Sequence, residues 1–173
     1  MRWLLAFFCL FIASTASASF TETIVTRPVI QQPLIEKVLV LKSSRQLQLI
    51  SDGKPIKEYR ISLGKRPKGA KLYEGDKRTP EGLYWLDWRK VSDRFNLAMH
   101  ISYPNISDAA RARREGVEPG GMIMIHGTPI DDEYPEEVFH TLDWTEGCIA
   151  MTNADMREVW SMVQDGTMIE IRP

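Results

Sequence analysis

Cysteine is nearly absent from this chain: its 173 residues include two, and histidine is limited to three. Cys9 lies in the apolar opening run, and Cys148 stands alone in "DWTEGCIAMTN". With the opening segment removed, no intramolecular disulfide can form. The short paired Cys or His spacings of a structural zinc site are missing as well. Long hydrophobic runs are equally scarce. The opening one, Trp3 to Ala13, is shorter than the about 20 residues a membrane-spanning helix needs, and no later stretch comes near that length. Neither sign of charge dominates, and a formal net charge of −1 gives no indication of a nucleic-acid partner. The sequence also has no internal repeats and no regular strand–helix–strand rhythm, which disfavours solenoids and parallel α/β folds.

The N-terminal residues are informative about compartment. A basic start at Met1-Arg2, the apolar run and the small residues Ala16-Ser17-Ala18 predict a secretory signal peptide over 1–18. The expected location is therefore the periplasm or cell envelope. Residues 19–36, polar and carrying Pro28 and Pro33, read as a tether, and 37–173 as one domain of ordinary size.

Within that domain, "KVLVLKS", "RQLQLIS" and "EYRISLG" alternate apolar and polar residues around an Asp52-Gly53 turn, the pattern of a β-meander. Lys65 to Pro80 reads as loop. "GLYWLDWRK", "NLAMHISYP", "GMIMIHG" and "TMIEIR" are further strands. Asp108 is a candidate cap for a short helix ended by Gly116, whose three arginines read as a solvated face. A second helix from Thr152 or Asn153 sets Met156, Val159, Trp160 and Val163 on one face, with Gly166 as its stop. About seven short strands and two or three helices predict a mainly β fold, an antiparallel sandwich or barrel-like domain with short helical insertions.

On local pattern alone, Cys148 is either a small buried apolar side chain or a nucleophile. A thiol attacks carbonyl carbon as thiolate and needs a base or a positive environment to do so near neutral pH. His126 is the best-placed candidate base, because a strongly apolar strand ends there and Gly127 follows. His100 and His140 lie in less committed settings. Gly147 allows a sharp turn that aims the amides near Gly147 and Cys148 at an oxyanion. Tyr103, Asn105, Arg114 and Trp144 are candidates for lining a groove, and Thr128 for supporting His126.

Taken in order, "RISLGK", "GDKRTPEGLYWL", "IHGTPI" and "DWTEGCIAMTN" resemble the L,D-transpeptidases, the YkuD-type catalytic domain of bacterial cell-wall enzymes. The resemblance covers most of 37–173. It implies Cys148 as nucleophile, His126 as general base and acid, and Gly147 as part of the oxyanion turn, with Gly127, Thr145 and Glu146 as substrate-binding positions. Glu146 is a departure, since the family usually has histidine there. It is open to a role in orienting a basic substrate group or in positioning His126. The implied substrate is a peptidoglycan stem tetrapeptide, and the implied roles are cell-wall biogenesis and cell shape. No metal or organic cofactor is required. The acyl acceptor is an amine of a second stem, a wall-linked protein, or water. The acidic run Asp131, Asp132, Glu133, Glu136 and Glu137 is either a solvated loop or a face for an amine-bearing acceptor. A non-catalytic peptidoglycan-binding module, and a metal site built from His126, His140 and Cys148, are the rival classes.

Overall fold

A computed structural model describes residues 33–130 and 135–173. The predicted signal peptide, most of the tether and the loop acids 131–133 lie outside the described residues.

The alternating segments form strands whose apolar side chains all reach one interior. β1 (Lys37–Leu41) and β2 (Gln46–Ser51) bury Val38, Val40, Leu47 and Leu49 completely. β3 (Lys54–Arg60) joins β2 through Asp52 and Gly53, both at positive φ as a two-residue hairpin turn requires. β4 (Gly82–Ser92) and β5 (Asn96–Ile101) add Tyr84, Leu86, Met99 and Ile101 to the core. β6 (Met124–His126), β7 (Ile149–Ala150) and β8 (Thr167–Arg172) complete one sheet in the order β3-β2-β1-β8-β4-β5-β6-β7.

The expected mainly β, barrel-like architecture is present, with two parallel pairings, β1–β8 and β6–β7, among the antiparallel ones. The expected strand "EYRISLG" ends at Arg60. Beyond it, Ser62 and Gly64 leave β2 and bridge to Ala150 and Thr145. The sheet therefore curls until the segment after β3 meets β7 at its other end.

Among the described residues, three helices lie outside the sheet: α1 (Ile106–Glu115), α2 (Glu136–Phe139) and α3 (Asn153–Met162). The α1 cap differs from the expectation. Asn105 is the N-cap and Asp108 sits at the third helical position, each side chain accepting from the other's amide. Asp108 is buried because its carboxylate also accepts from Tyr84 Oη at 2.8 Å. Gly116 ends α1 in the left-handed conformation. Arg111 is no part of a solvated face, since it donates to the Lys71 carbonyl at 2.6 Å and pairs with Asp108. α3 is capped by Thr152 and stops at Met162, before Gly166. It buries Met156 and Val159 against the core.

The expected loop, Lys65 to Pro80, is irregular but firmly held. Lys71 and Asp76, both almost fully buried, pair at 2.9 Å, and Asp76 also accepts from the amides of Leu72 and Arg78. Burial alone would raise the Asp76 pKa, but the Lys71 ammonium and those amides outweigh it and hold the carboxyl below its usual range. Lys42, also buried, donates to Gly69 O, Thr79 O and Glu81 Oε1, tying the loop to the end of β1. Removing one member of a buried pair leaves an uncompensated charge. Asp76→Ala is expected to cost about 3–5 kcal/mol in denaturant unfolding. The half-buried pair Lys37–Glu170 provides the contrast: Lys37→Ala should cost less than about 1 kcal/mol.

Candidate active site

Cys148 owes its position to a two-residue strand. Ile149 and Ala150 lie parallel to β6, with Ile125 opposite Ile149 and His126 opposite Ala150. Continued one residue back, this register sets Cys148 opposite Met124. Because successive side chains alternate across a sheet, Cys148 and His126 then lie on the same side, two residues apart in register. The thiol's own contact is the Met122 carbonyl, 3.8 Å from Sγ. Among the described residues, no hydrogen bond joins thiol and imidazole in this resting state.

The turn before Cys148 is organised by Thr145. This buried hydroxyl donates to the Cys148 carbonyl at 2.7 Å and accepts from the Gly147 amide at 3.1 Å. Its backbone carbonyl accepts from Lys65 N at 2.9 Å. Thr145, anticipated at the substrate, therefore has its hydroxyl committed within the turn. Gly147 has φ 133°, and a Cβ there would meet Arg78 O at 2.9 Å, so the position requires glycine on both counts. The Gly147 amide, anticipated as an oxyanion donor, is engaged by Thr145. The Cys148 amide has no partner among the described residues and is the donor left for that role.

His126 is 3 % exposed, at the end of β6. Phe95 stacks on its ring at 4.3 Å between centroids, and Trp144 meets it edge-on at 5.6 Å. Its Nδ1 lies 2.6 Å from the Gly127 carbonyl, which can only accept. Nδ1 therefore carries the proton, and Nε2 keeps the lone pair a base needs. Burial is the largest influence on the ring and pulls its pKa down to about 4. The Gly127 carbonyl opposes this, and nearby Arg94 adds to it. Gly127 itself is buried against Asn153 and the Phe95 carbonyl, where no side chain would fit.

Behind His126, Thr128 Oγ1 donates to Glu136 Oε1 at 2.9 Å and accepts from Asn153 Nδ2 at 2.8 Å. The Asn153 amide also donates to Glu136 Oε1, at 2.5 Å. Thr128 thus supports the segment after His126, and Glu136 is spent inside the fold. Of the groove candidates, Tyr103 is buried with its hydroxyl on Pro119 O, Asn105 is a helix cap, and Arg114 is exposed on α1. Trp144 alone reaches the His126 ring. His100 pairs with Asp87 and stacks on Trp88, and His140 closes α2. Among the described residues, no three His, Cys, Asp or Glu side chains gather at metal-binding spacing.

Glu146 is exposed. It points to Lys65 at 2.5 Å and Lys77 at 3.7 Å, and among the described residues it has no bond to His126. The Lys65 bond is the main influence holding its carboxyl below the usual range.

The family model of the L,D-transpeptidase catalytic domain (YkuD) matches residues 36–171. The chain belongs to this family. This L,D-transpeptidase domain also superposes on solved structures. The helical cell shape determining protein Pgp2 from Campylobacter jejuni is 28% identical, with a TM-score of 0.64 over 80% of this chain and 47% of that one. Bd1075 from Bdellovibrio bacteriovorus is 25% identical, with a TM-score of 0.58 over 82% and 48%. A variant of the Enterococcus faecium L,D-transpeptidase, 18% identical with a TM-score of 0.53 over 81% and 50%, shares the fold. The domain thus spans about half the length of these structures. A comparison with curated proteins gives no match.

Burial is the main influence on the Cys148 thiol and raises its pKa, against smaller opposing effects of the Met124 amide and Lys71. The resting pair in this L,D-transpeptidase domain is therefore neutral thiol and neutral imidazole. Alkylation of Cys148 by iodoacetamide should keep accelerating through about pH 9, and a plateau below the ordinary thiol pKa of about 8.5 would contradict a raised one. The depressed His126 pKa makes a separate stability prediction. Between the ordinary value of about 6.5 and the folded value, the unfolded chain binds the extra proton, so this contribution is whole above pH 6.5 and is lost as pH falls. It should amount to about 2.5 kcal/mol by pH 4.5. His126→Gln should shrink the acid-induced loss of unfolding free energy by about that amount.

Proposed function

We propose that this chain is an exported cysteine acyltransferase acting on peptidoglycan stem tetrapeptides, with Cys148 as nucleophile and His126 as general base and acid. The observation that carries the reading is the β6–β7 register. It sets a cysteine on one side of the sheet with a histidine whose Nε2 has no partner among the described residues, in a domain of the L,D-transpeptidase family.

The steps follow from the protonation states. Because the imidazole is neutral at physiological pH, it can take the Cys148 proton as sulfur attacks the carbonyl of the L-to-D peptide bond. The carbonyl oxygen, now negative, meets the Cys148 amide. Collapse breaks the C–N bond, and the imidazolium returns its proton to the departing amine of D-alanine. The stem is left as a thioester on Cys148. An acceptor amine next displaces the thiol, with His126 removing the amine proton, and an amide cross-link or a protein attachment forms. Water in the acceptor's place gives hydrolysis by the same chemistry. The Phe95 and Trp144 rings beside His126 exclude solvent from the base, which favours proton transfer to and from bound groups. The likeness to Pgp2 extends the proposal to wall remodelling that sets cell shape.

Intact-protein mass spectrometry after incubation with disaccharide tetrapeptide, and separately with a carbapenem, tests the thioester. The expected result is an acyl adduct on the wild type, none on Cys148→Ala, and acylation slowed by at least about 100-fold in His126→Ala. Muropeptide products from the same reaction separate cross-linking from hydrolysis. A folded wild type that binds wall material yet forms neither adduct nor product is a binding module instead.

A further inference from the structure

Two residues ahead of Cys148, the Glu146 side chain stands 61 % exposed between Lys65 and Lys77, which reach it from a distant part of the chain. Their backbones are fixed to the Cys148 turn. Lys65 N donates to Thr145 O at 2.9 Å, and Arg66 N donates to Lys77 O at 3.0 Å. Gly64, between these segments, packs so closely on the Lys77 carbonyl and Gly147 Cα that a side chain there has no room. Lys77 itself holds φ 59°, a conformation residues other than glycine seldom adopt. Half-exposed ion pairs add little to stability, so the Glu146 contacts do not account for this strained placement. Such a backbone, which Asp52 also adopts in its hairpin turn, is compatible with a task for the Lys77 side chain.

The charge count indicates the task. Two ammonium groups face one carboxylate, and Lys77, 3.7 Å from Glu146, is only loosely held. The cluster therefore carries one more positive than negative charge and leaves Lys77 able to take a second carboxylate. In the reaction proposed above, the stem ends one residue beyond the bond attacked, so its terminal carboxylate lies within about 4 Å of the scissile link.

We propose that Lys65 and Lys77 form the recognition site for the C-terminal carboxylate of the donor stem, and that Glu146 is an internal stand-in which the substrate displaces. This rests on the proposed function and deepens it, since it restricts the chain to stems whose last residue is the leaving group. Charge-assisted bonds to a carboxylate supply the affinity. The Glu146 carboxylate competes for the same ammonium groups and keeps the lysines extended when the site is empty.

Binding to the Cys148→Ala protein, measured by calorimetry, tests this without turnover. The probes are disaccharide tetrapeptide and the same molecule with its terminal carboxylate converted to carboxamide. The acid should bind about tenfold more tightly than the amide, with a preference that shrinks as salt is added. In Lys65→Met/Lys77→Met the preference should vanish, and in Glu146→Gln it should grow several-fold. Circular dichroism and melting of each variant confirm that it is folded. Equal binding of acid and amide, no binding of either, or a preference that survives loss of both lysines overturns the site. A preference that falls in Glu146→Gln overturns the stand-in role. Adduct formation by the wild type is independent of these outcomes. An adduct without acid preference removes the carboxylate site alone, whereas acid preference without an adduct keeps the site and removes the nucleophile.

Discussion

The double pairing of Ala150 is the constraint on which the rest of the structure depends. On one side it lies parallel to β6 opposite His126, whose carbonyl accepts from Met151 N at 3.1 Å. On the other it exchanges both backbone hydrogen bonds with Ser62, at 2.8 and 2.9 Å. A two-residue strand has almost no intrinsic stability. It persists because the sheet brings two edges to it, and it in turn joins those edges. The same few bonds close the curled sheet and fix the register that sets Cys148 and His126 on one side. Fold and candidate chemistry therefore share one mechanical element, and a slip of one residue would turn every side chain of β7 to the opposite side.

Given that register, burial determines the electrostatics. His126 is enclosed by Phe95 and Trp144, and Cys148 is half-buried beside the Met122 carbonyl, so neither favours its charged form at rest. A thiolate–imidazolium pair would have to be desolvated at a cost the surroundings do not offset. For the proposed chemistry, this favours proton transfer concerted with attack over a pre-formed thiolate. The Gly127 carbonyl holds the ring in the tautomer that this requires.

Much of this was readable from sequence where information is local. Alternation in "KVLVL", "RQLQLI" and "TMIEIR" located β1, β2 and β8, and Asp52-Gly53 marked its hairpin. Asn105 could have been found as a cap from its position three residues before Asp108, but aspartate is a less usual partner in that box than glutamate or glutamine. β7 carries no period at two residues, and the departure of Ile61–Gly64 from β3 toward Thr145 and Ala150 depends on contacts more than 80 positions away in the chain. Ordered motifs singled out Cys148 and His126. The Phe95 and Trp144 walls, and the commitment of the Gly147 amide to Thr145, arise only when separate segments meet.

The two halves of the candidate site are supported by different physics. The segment flanking the Cys148 turn is stiffened by buried charge: Lys71–Asp76 within the loop, and Lys42 joining it to β1. Such pairs contribute little net stability compared with apolar packing, but they penalise any displacement that separates them. The segment after His126 is held by hydrogen bonds from Thr128 and Asn153 to one half-buried carboxylate, Glu136. That network is smaller and nearer solvent, and it can rearrange at lower cost. In the proposed reaction, the donor stem would be anchored beside the rigid Cys148 turn, where Gly64 and Gly147 leave no slack. A fold that keeps Cys148 fixed and places its more yielding contacts beside His126 suits the proposed reaction, in which one substrate is anchored and the second is exchanged.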